Sequence, residues 1–99
     1  MEKKHIIAVD NDFESIFSEK NVASMLLFIY AHKKVKESQL TSIVSNYYSS
    51  VKVVGILVDI GLVKSWSEKL GHTTQWYEIT DVGAEVARLL KEANDLVKR

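Results

Sequence analysis

The sequence predicts a mainly α-helical fold with one β-hairpin inserted ahead of its last helix. Three observations lead there. Apolar residues recur at helical spacing in successive segments before and after position 62. Between those segments, two runs of β-formers flank a polar stretch around Gly71. The 99 residues, 46% hydrophobic and 26% charged, have the composition of an ordinary globular chain with enough apolar surface for one core.

Residues 1–20 read as an N-terminal arm with a short helix. Ile6, Ile7 and Val9 form an apolar patch, Asp10-Asn11-Asp12 offers N-caps, and Phe13, Ile16 and Phe17 follow at helical spacing. Residues 21–34 read as a strong helix, with Val22, Met25, Leu26, Ile29 and Tyr30 on its stripe and Lys33 and Lys34 at its C-terminal end, where positive charge suits the dipole. Leu27 and Phe28 widen that stripe. Residues 37–46 read as a shorter helix capped by Glu37-Ser38, burying Leu40, Ile43 and Val44 and ending at Asn46.

Residues 49–60 read as the next helix, capped by Ser49 or Ser50, with Val51, Val54, Leu57 and Val58 facing inward and Gly61 as its stop. Leu62–Trp66 and Trp76–Thr80 read as two strands joined by the polar stretch 67–75. Residues 81–98 read as a last helix capped by Thr80 or Asp81. In it Val82, Val86, Leu89, Ala93 and Leu96 repeat at spacings of 4, 3, 4 and 3, a heptad seam flanked by Leu90 and Val97. With no proline, internal repeat or low-complexity stretch, the expected organisation is one compact domain: arm 1–20, central unit 21–80 and C-terminal helix 81–99.

Two helices joined by the tight polar turn Ser45-Asn46-Tyr47-Tyr48 make a helix-turn-helix, and a hairpin directly after the second helix makes a wing. The expected fold is a winged helix-turn-helix with an additional C-terminal helix. Leu57-Val58-Asp59-Ile60-Gly61-Leu62-Val63 resembles the junction between recognition helix and wing in MarR-, PadR- and ArsR-like winged-helix regulators. Tyr77-Glu78-Ile79-Thr80-Asp81-Val82-Gly83 resembles their link from wing to last helix. The resemblance spans roughly residues 20–98 and extends to small archaeal winged-helix proteins with a C-terminal dimerising helix. It implies a transcription regulator that binds double-stranded DNA as a homodimer, with helix 49–60 in the major groove and wing 64–76 on the backbone or minor groove. The motif residues themselves are structural. Leu57 and Leu62 fill the core, Gly61 permits the reversal, and Tyr77 and Ile79 alternate inward.

By helical phase Ser49, Ser50, Lys52, Val53 and Ile56 face outward or sideways. Serine and Lys52 suit phosphate or base contact, and Val53 suits a thymine methyl. Asn46, Tyr47 and Tyr48 in the turn suit phosphate, and core packing of one tyrosine is the competing reading. On the wing, Lys64, Lys69, His72, Thr73, Thr74 and Gln75 form a basic, glycine-containing tip, which also fits an ordinary solvated hairpin. Lys33, Lys34 and Lys36 fit either a place beside the DNA backbone or a soluble helix end. The dimer interface is expected on Phe13, Phe17, Val82, Val86, Leu89, Ala93 and Leu96.

Net charge is zero, but residues 33–76 carry six lysines against three acids, the chain's one positive block. Trp66 and Trp76 are expected on one outward face of the hairpin, paired across strands or facing a partner. The zero net charge, a recognition helix with only Lys52 as charged reader, and this pair also fit a winged-helix protein-interaction module that does not bind DNA. Enzyme chemistry is not expected. The sequence has no glycine-rich phosphate loop, nucleophile elbow or cysteine, and His5, His32 and His72 fall in different elements. No cofactor or metal is expected, and nothing marks an effector pocket. The absence of an 18-residue apolar run and of a signal-peptide core gives the expectation of a cytoplasmic protein without a membrane partner.

Overall fold

The computed structural model describes residues 19–98. The expectations for Phe13, Ile16, Phe17 and the rest of the arm lie outside these residues. The elements are α1 (Val22–His32), β1 (Lys34–Lys36), a 3-10 helix (Glu37–Ser42), α2 (Tyr47–Asp59), β2 (Val63–Leu70), β3 (His72–Ile79) and α3 (Asp81–Val97). The strands form one antiparallel sheet in the order β1-β3-β2. This is the expected winged helix-turn-helix with an additional C-terminal helix.

Helix α1 buries Val22, Met25, Leu26 and Ile29 completely, the stripe read from the sequence except for Tyr30, which is half-buried. It stops two residues earlier than expected. Lys33 adopts φ 67°, and its carbonyl accepts the Ile79 N–H at 3.0 Å. The sheet therefore captures the chain as it leaves the helix, and Lys33 and Lys34 do not extend α1. The short strand β1 follows, with Val35 buried between exposed Lys34 and Lys36.

The expected helix over 37–46 is instead a 3-10 helix ending at Ser42, with only Leu40 fully buried. Hydroxyl side chains crowd this segment and compete for its carbonyls. Thr41 Oγ1 donates to Ser38 O at 3.1 Å. Six residues with one buried anchor suit the tighter helix, which is used in short pieces.

Helix α2 ends in a Schellman motif. The Leu62 N–H donates to Leu57 O (3.0 Å), the Gly61 N–H to Val58 O (3.1 Å), and Gly61 sits at φ 83°. The hairpin that follows is longer than expected. β2 and β3 stay paired from Val63↔Ile79 out to Leu70↔His72, with Gly71 (φ 86°) alone at the tip. The polar stretch 67–75 is thus strand, held by cross-strand pairs in place of burial.

The wing returns to the body at Thr80. Its N–H donates to Leu62 O (3.1 Å) and its hydroxyl donates to Gly61 O (2.8 Å). The same hydroxyl accepts the Gly83 N–H (3.0 Å), capping α3. Gly83 packs so tightly on this junction that a Cβ there would be driven into Leu62 O, with Ile79 Cδ1 only 2.9 Å away. Helix α3 buries Gly83 and Ala87 against the body and packs on α1, while Val82, Leu89, Ala93 and Leu96 remain exposed and Val86 half-buried.

The two junction glycines should therefore respond differently to alanine. Gly61→Ala has open space and meets only the left-handed backbone penalty, about 1 kcal/mol. Gly83→Ala forces backbone apart and should cost more, about 2–3 kcal/mol. Urea denaturation of both variants checks the order; equal losses would contradict it.

Candidate nucleic-acid interface

The outward face of α2 is set by where the helix begins. Asn46 caps it, its side chain accepting the Ser49 N–H at 3.0 Å, so the first helical residue is Tyr47 and neither Ser49 nor Ser50 is the cap. The buried stripe is then Ser50, Val53, Val54 and Leu57. Two expected DNA-facing residues are corrected by this. Ser50 is fully buried and donates its hydroxyl to Tyr47 O at 2.7 Å, and Val53 is only 6% exposed. Val51 and Val58, expected inside, flank the stripe half-buried. Asn46, Tyr47, Tyr48, Ser49, Lys52 and Asp59 are exposed. Tyr48, Lys52 and Asp59 follow one another at helical spacing along the outward face.

Tyr47 and Tyr48, expected in the turn, form the start of α2, and neither enters the core. Tyr47 is 51% and Tyr48 82% exposed, their rings meeting edge to face at 5.5 Å. The Tyr47 hydroxyl donates to Glu37 Oε1 (3.2 Å), while the buried Tyr77 donates to the other oxygen, Oε2 (3.0 Å). One carboxylate thus joins the start of the 3-10 helix, the first turn of α2 and strand β3. Burial first, then the Glu37 hydrogen bond, holds the Tyr77 phenol well above its ordinary value. The Glu37 hydrogen bond and charge raise Tyr47 as well.

The strand register divides the expected wing residues. Lys69 and Thr73 are partners and share a face with the pairs Ser67–Gln75 and Ser65–Tyr77. That face continues from the buried side of the sheet, where Tyr77 and Val63 sit against the helices. Its middle is laced by Ser67 donating to Gln75 Oε1 (2.7 Å) and by Gln75 Nε2 donating to Ser65 Oγ. Lys64 and His72 lie on the opposite, solvent face, as does Thr74. The set Lys64, Lys69, His72 and Thr73 is therefore not one surface.

Lys64 pairs with Glu78 at 3.7 Å, and Lys52 with Glu19 at 3.6 Å. Both pairs are exposed and hold their lysines only weakly. Lys34 and Lys36 flank Val35 on β1 and extend over the Trp76 ring. The tryptophans do share the outward face, cross-strand partners with ring centroids 6.4 Å apart and planes 18° from parallel. Sequence reasoning missed Glu37, read only as a cap. Its two phenol partners lie 10 and 40 residues away, so no local pattern marks it.

Among the described residues, no group of three or more His, Cys, Asp or Glu could hold a metal, and no helix is long and apolar enough to cross a membrane. The tyrosine geometry carries a pH consequence. Tyr77 binds its proton more tightly folded than unfolded, so above pH about 10 the unfolded chain releases a proton that the folded chain keeps. Its contribution to stability is complete below the unfolded value and is lost as pH rises toward the folded one. In an ultraviolet phenolate titration of the folded protein, Tyr77→Phe should remove a step that lies above the ordinary phenol range. Removal of a step within the ordinary range would contradict the assignment.

No family model and no curated protein matches the sequence. Solved structures do match. One is a transcriptional regulator homologue protein from Pyrococcus horikoshii OT3, with TM-score 0.72 and 22% identity over 85% of this chain and 86% of that one. Another is a PadR family transcriptional regulator from Eggerthella lenta DSM 2243, with TM-score 0.64 and 16% identity over 92% of this chain and 89% of that one. At these identities the likeness is one of fold, and the fold this chain shares with both transcription regulators runs through nearly its whole length.

Proposed function

We propose that this protein is a transcription regulator that binds double-stranded DNA, acting as a homodimer with α2 in the major groove and the wing on the backbone or minor groove. The observation that carries the reading is the exposed first turn of α2. A capped helix N-terminus presents Asn46, Tyr48 and Ser49 to solvent with Lys52 one turn further on. Free hydroxyls, an ammonium and the positive end of a helix dipole are groups that take phosphate oxygens. Lys69 and Thr73, which continue the inner face of the sheet along the wing, are the second contact; Lys64 and His72 belong to the other face. Both fold neighbours carry the description of transcription regulator, which supports the same reading.

The α3 seam supplies the second copy. Val82, Leu89 and Leu96 are 61%, 51% and 63% exposed, more apolar surface than one helix leaves in water without a partner. Phe13 and Phe17, outside the described residues, belong to the same proposed interface. Two copies joined there would offer two α2 helices to half-sites about one helical turn, roughly 34 Å, apart. With Ser50 and Val53 inside the core, few side chains remain to read bases. Binding is therefore dominated by the backbone, with modest intrinsic sequence preference.

Two measurements test this. In a salt titration of duplex binding, Lys52→Ala should weaken binding to every sequence alike and lower the logarithmic salt slope by about two, one for each copy in the dimer. No duplex binding by the wild type even at low salt would contradict the reading. In sedimentation equilibrium the wild type should be a dimer and Leu89→Glu a folded monomer; a wild-type monomer at tens of micromolar would contradict the interface.

A further inference from the structure

The solvent face of the sheet carries a feature that duplex binding through α2 does not use. At one register position three side chains stand in a row across the strands: Lys36 on β1, Trp76 on β3 and Trp66 on β2. The indoles are near-parallel, and Lys34 and Lys36 hold their ammoniums 4.9 and 5.6 Å from the Trp76 centroid; Lys34 is 5.9 Å from that of Trp66. Glu68 fixes one edge of the row by accepting the Trp76 indole N–H at 2.9 Å. Lys64 and Glu78, on the same face, neutralise each other. Among the described residues neither Lys34 nor Lys36 is paired with a carboxylate. β2, like β1, is an edge strand, so Trp66 ends the row at one edge of the sheet.

We propose that this row is a binding site for single-stranded nucleic acid. An ordered stack of two indoles ending at an open edge is extended by another flat ring, and unpaired bases provide flat rings on a polyanion. The charge is complementary: two lysines resting on π-faces are free to exchange ring contact for phosphate contact as a base stacks. An acidic peptide would satisfy the lysines but has no series of rings to continue the stack. Duplex DNA keeps its base faces inside the helix. The site lies on a different face from Tyr48, Ser49 and Lys52, so it stands or falls independently of the duplex reading.

The chain has only two tryptophans, both in this row, so tryptophan fluorescence, excited selectively over tyrosine, reports on the site. The intact protein is titrated with a 12-nucleotide oligothymidine, with an abasic sugar-phosphate 12-mer of equal charge, and with polyglutamate. The expected result is saturable quenching by oligothymidine and little by the other two. Trp66→Leu should weaken oligothymidine binding about tenfold or more, as loss of one stacked base implies. The double variant Lys34→Gln/Lys36→Gln should flatten the salt dependence while leaving the circular dichroism spectrum unchanged. Should Trp66→Leu fail to fold, Trp66→Phe, which keeps a ring, should bind within a few-fold of wild type. Equal binding of the abasic strand or of polyglutamate would reduce the row to a polyanion or acidic-protein surface and overturn the proposal, as would no quenching by oligothymidine.

Discussion

The hydroxyl of Thr80 is the point on which the rest of the structure turns. It donates to the carbonyl of Gly61, at the end of α2, and accepts the N–H of Gly83, in the first turn of α3. One side chain thus caps one helix while holding the C-terminal turn of another. The Thr80 N–H bonds Leu62 O beside it, so the base of the wing is closed by the same residue. The geometry works only with glycine on both sides. Gly61 must take a positive φ to complete the Schellman turn, and Gly83 must lack a Cβ to approach the Leu62 carbonyl. The direction of α2, the root of the hairpin and the departure of α3 are consequently one problem with one solution.

Around that junction the fold presents three surfaces of different chemistry. The first turn of α2 is polar, with Lys52 as its ammonium, and Glu37 ties it through Tyr47 and Tyr77 to the 3-10 helix and the wing. The solvent face of the sheet is aromatic and cationic. The outer stripe of α3 is aliphatic, bordered by the ion pairs of Arg88 with Glu85 and Glu92 and of Lys91 with Asp95. Those pairs are exposed and add little stability. They leave the stripe flanked by charge. Each surface is displaced from the others because each lies on a different element leaving the junction.

Much of this was legible in the sequence, and the reasons are local. Gly61 announces a backbone demand that no other residue meets so easily; the need for a glycine at 83 comes from its approach to the Leu62 carbonyl, which no local pattern marks. The stripe of α1 is strong because all four of its core positions are apolar. Trp66 and Trp76 were placed together by alternation alone. The failures also have physical causes. In α2 the core stripe begins with a serine, whose hydroxyl is satisfied by the Tyr47 carbonyl, and valines at 51, 53, 54 and 58 allow two phases. Tertiary contact chose the phase that buries Ser50 and Val53. The outer half of the wing shows no apolar alternation because both its faces are wet; pairing across the hairpin makes it strand. β1 has one buried residue, Val35, and exists because β3 offers it an edge.

If the junction holds α2, wing and α3 as one unit, none of them can open alone. Native-state hydrogen exchange reads this directly at the three amides concerned: Leu62, bonded to Leu57 O; Thr80, bonded to Leu62 O; and Gly83, bonded to the Thr80 hydroxyl. All three should exchange only through global unfolding, with opening free energies equal to one another and to the stability measured by denaturant. Exchange of the Gly83 amide at a distinctly lower free energy than that of Leu62 would mean that α3 detaches while α2 stays folded, and would contradict a shared junction.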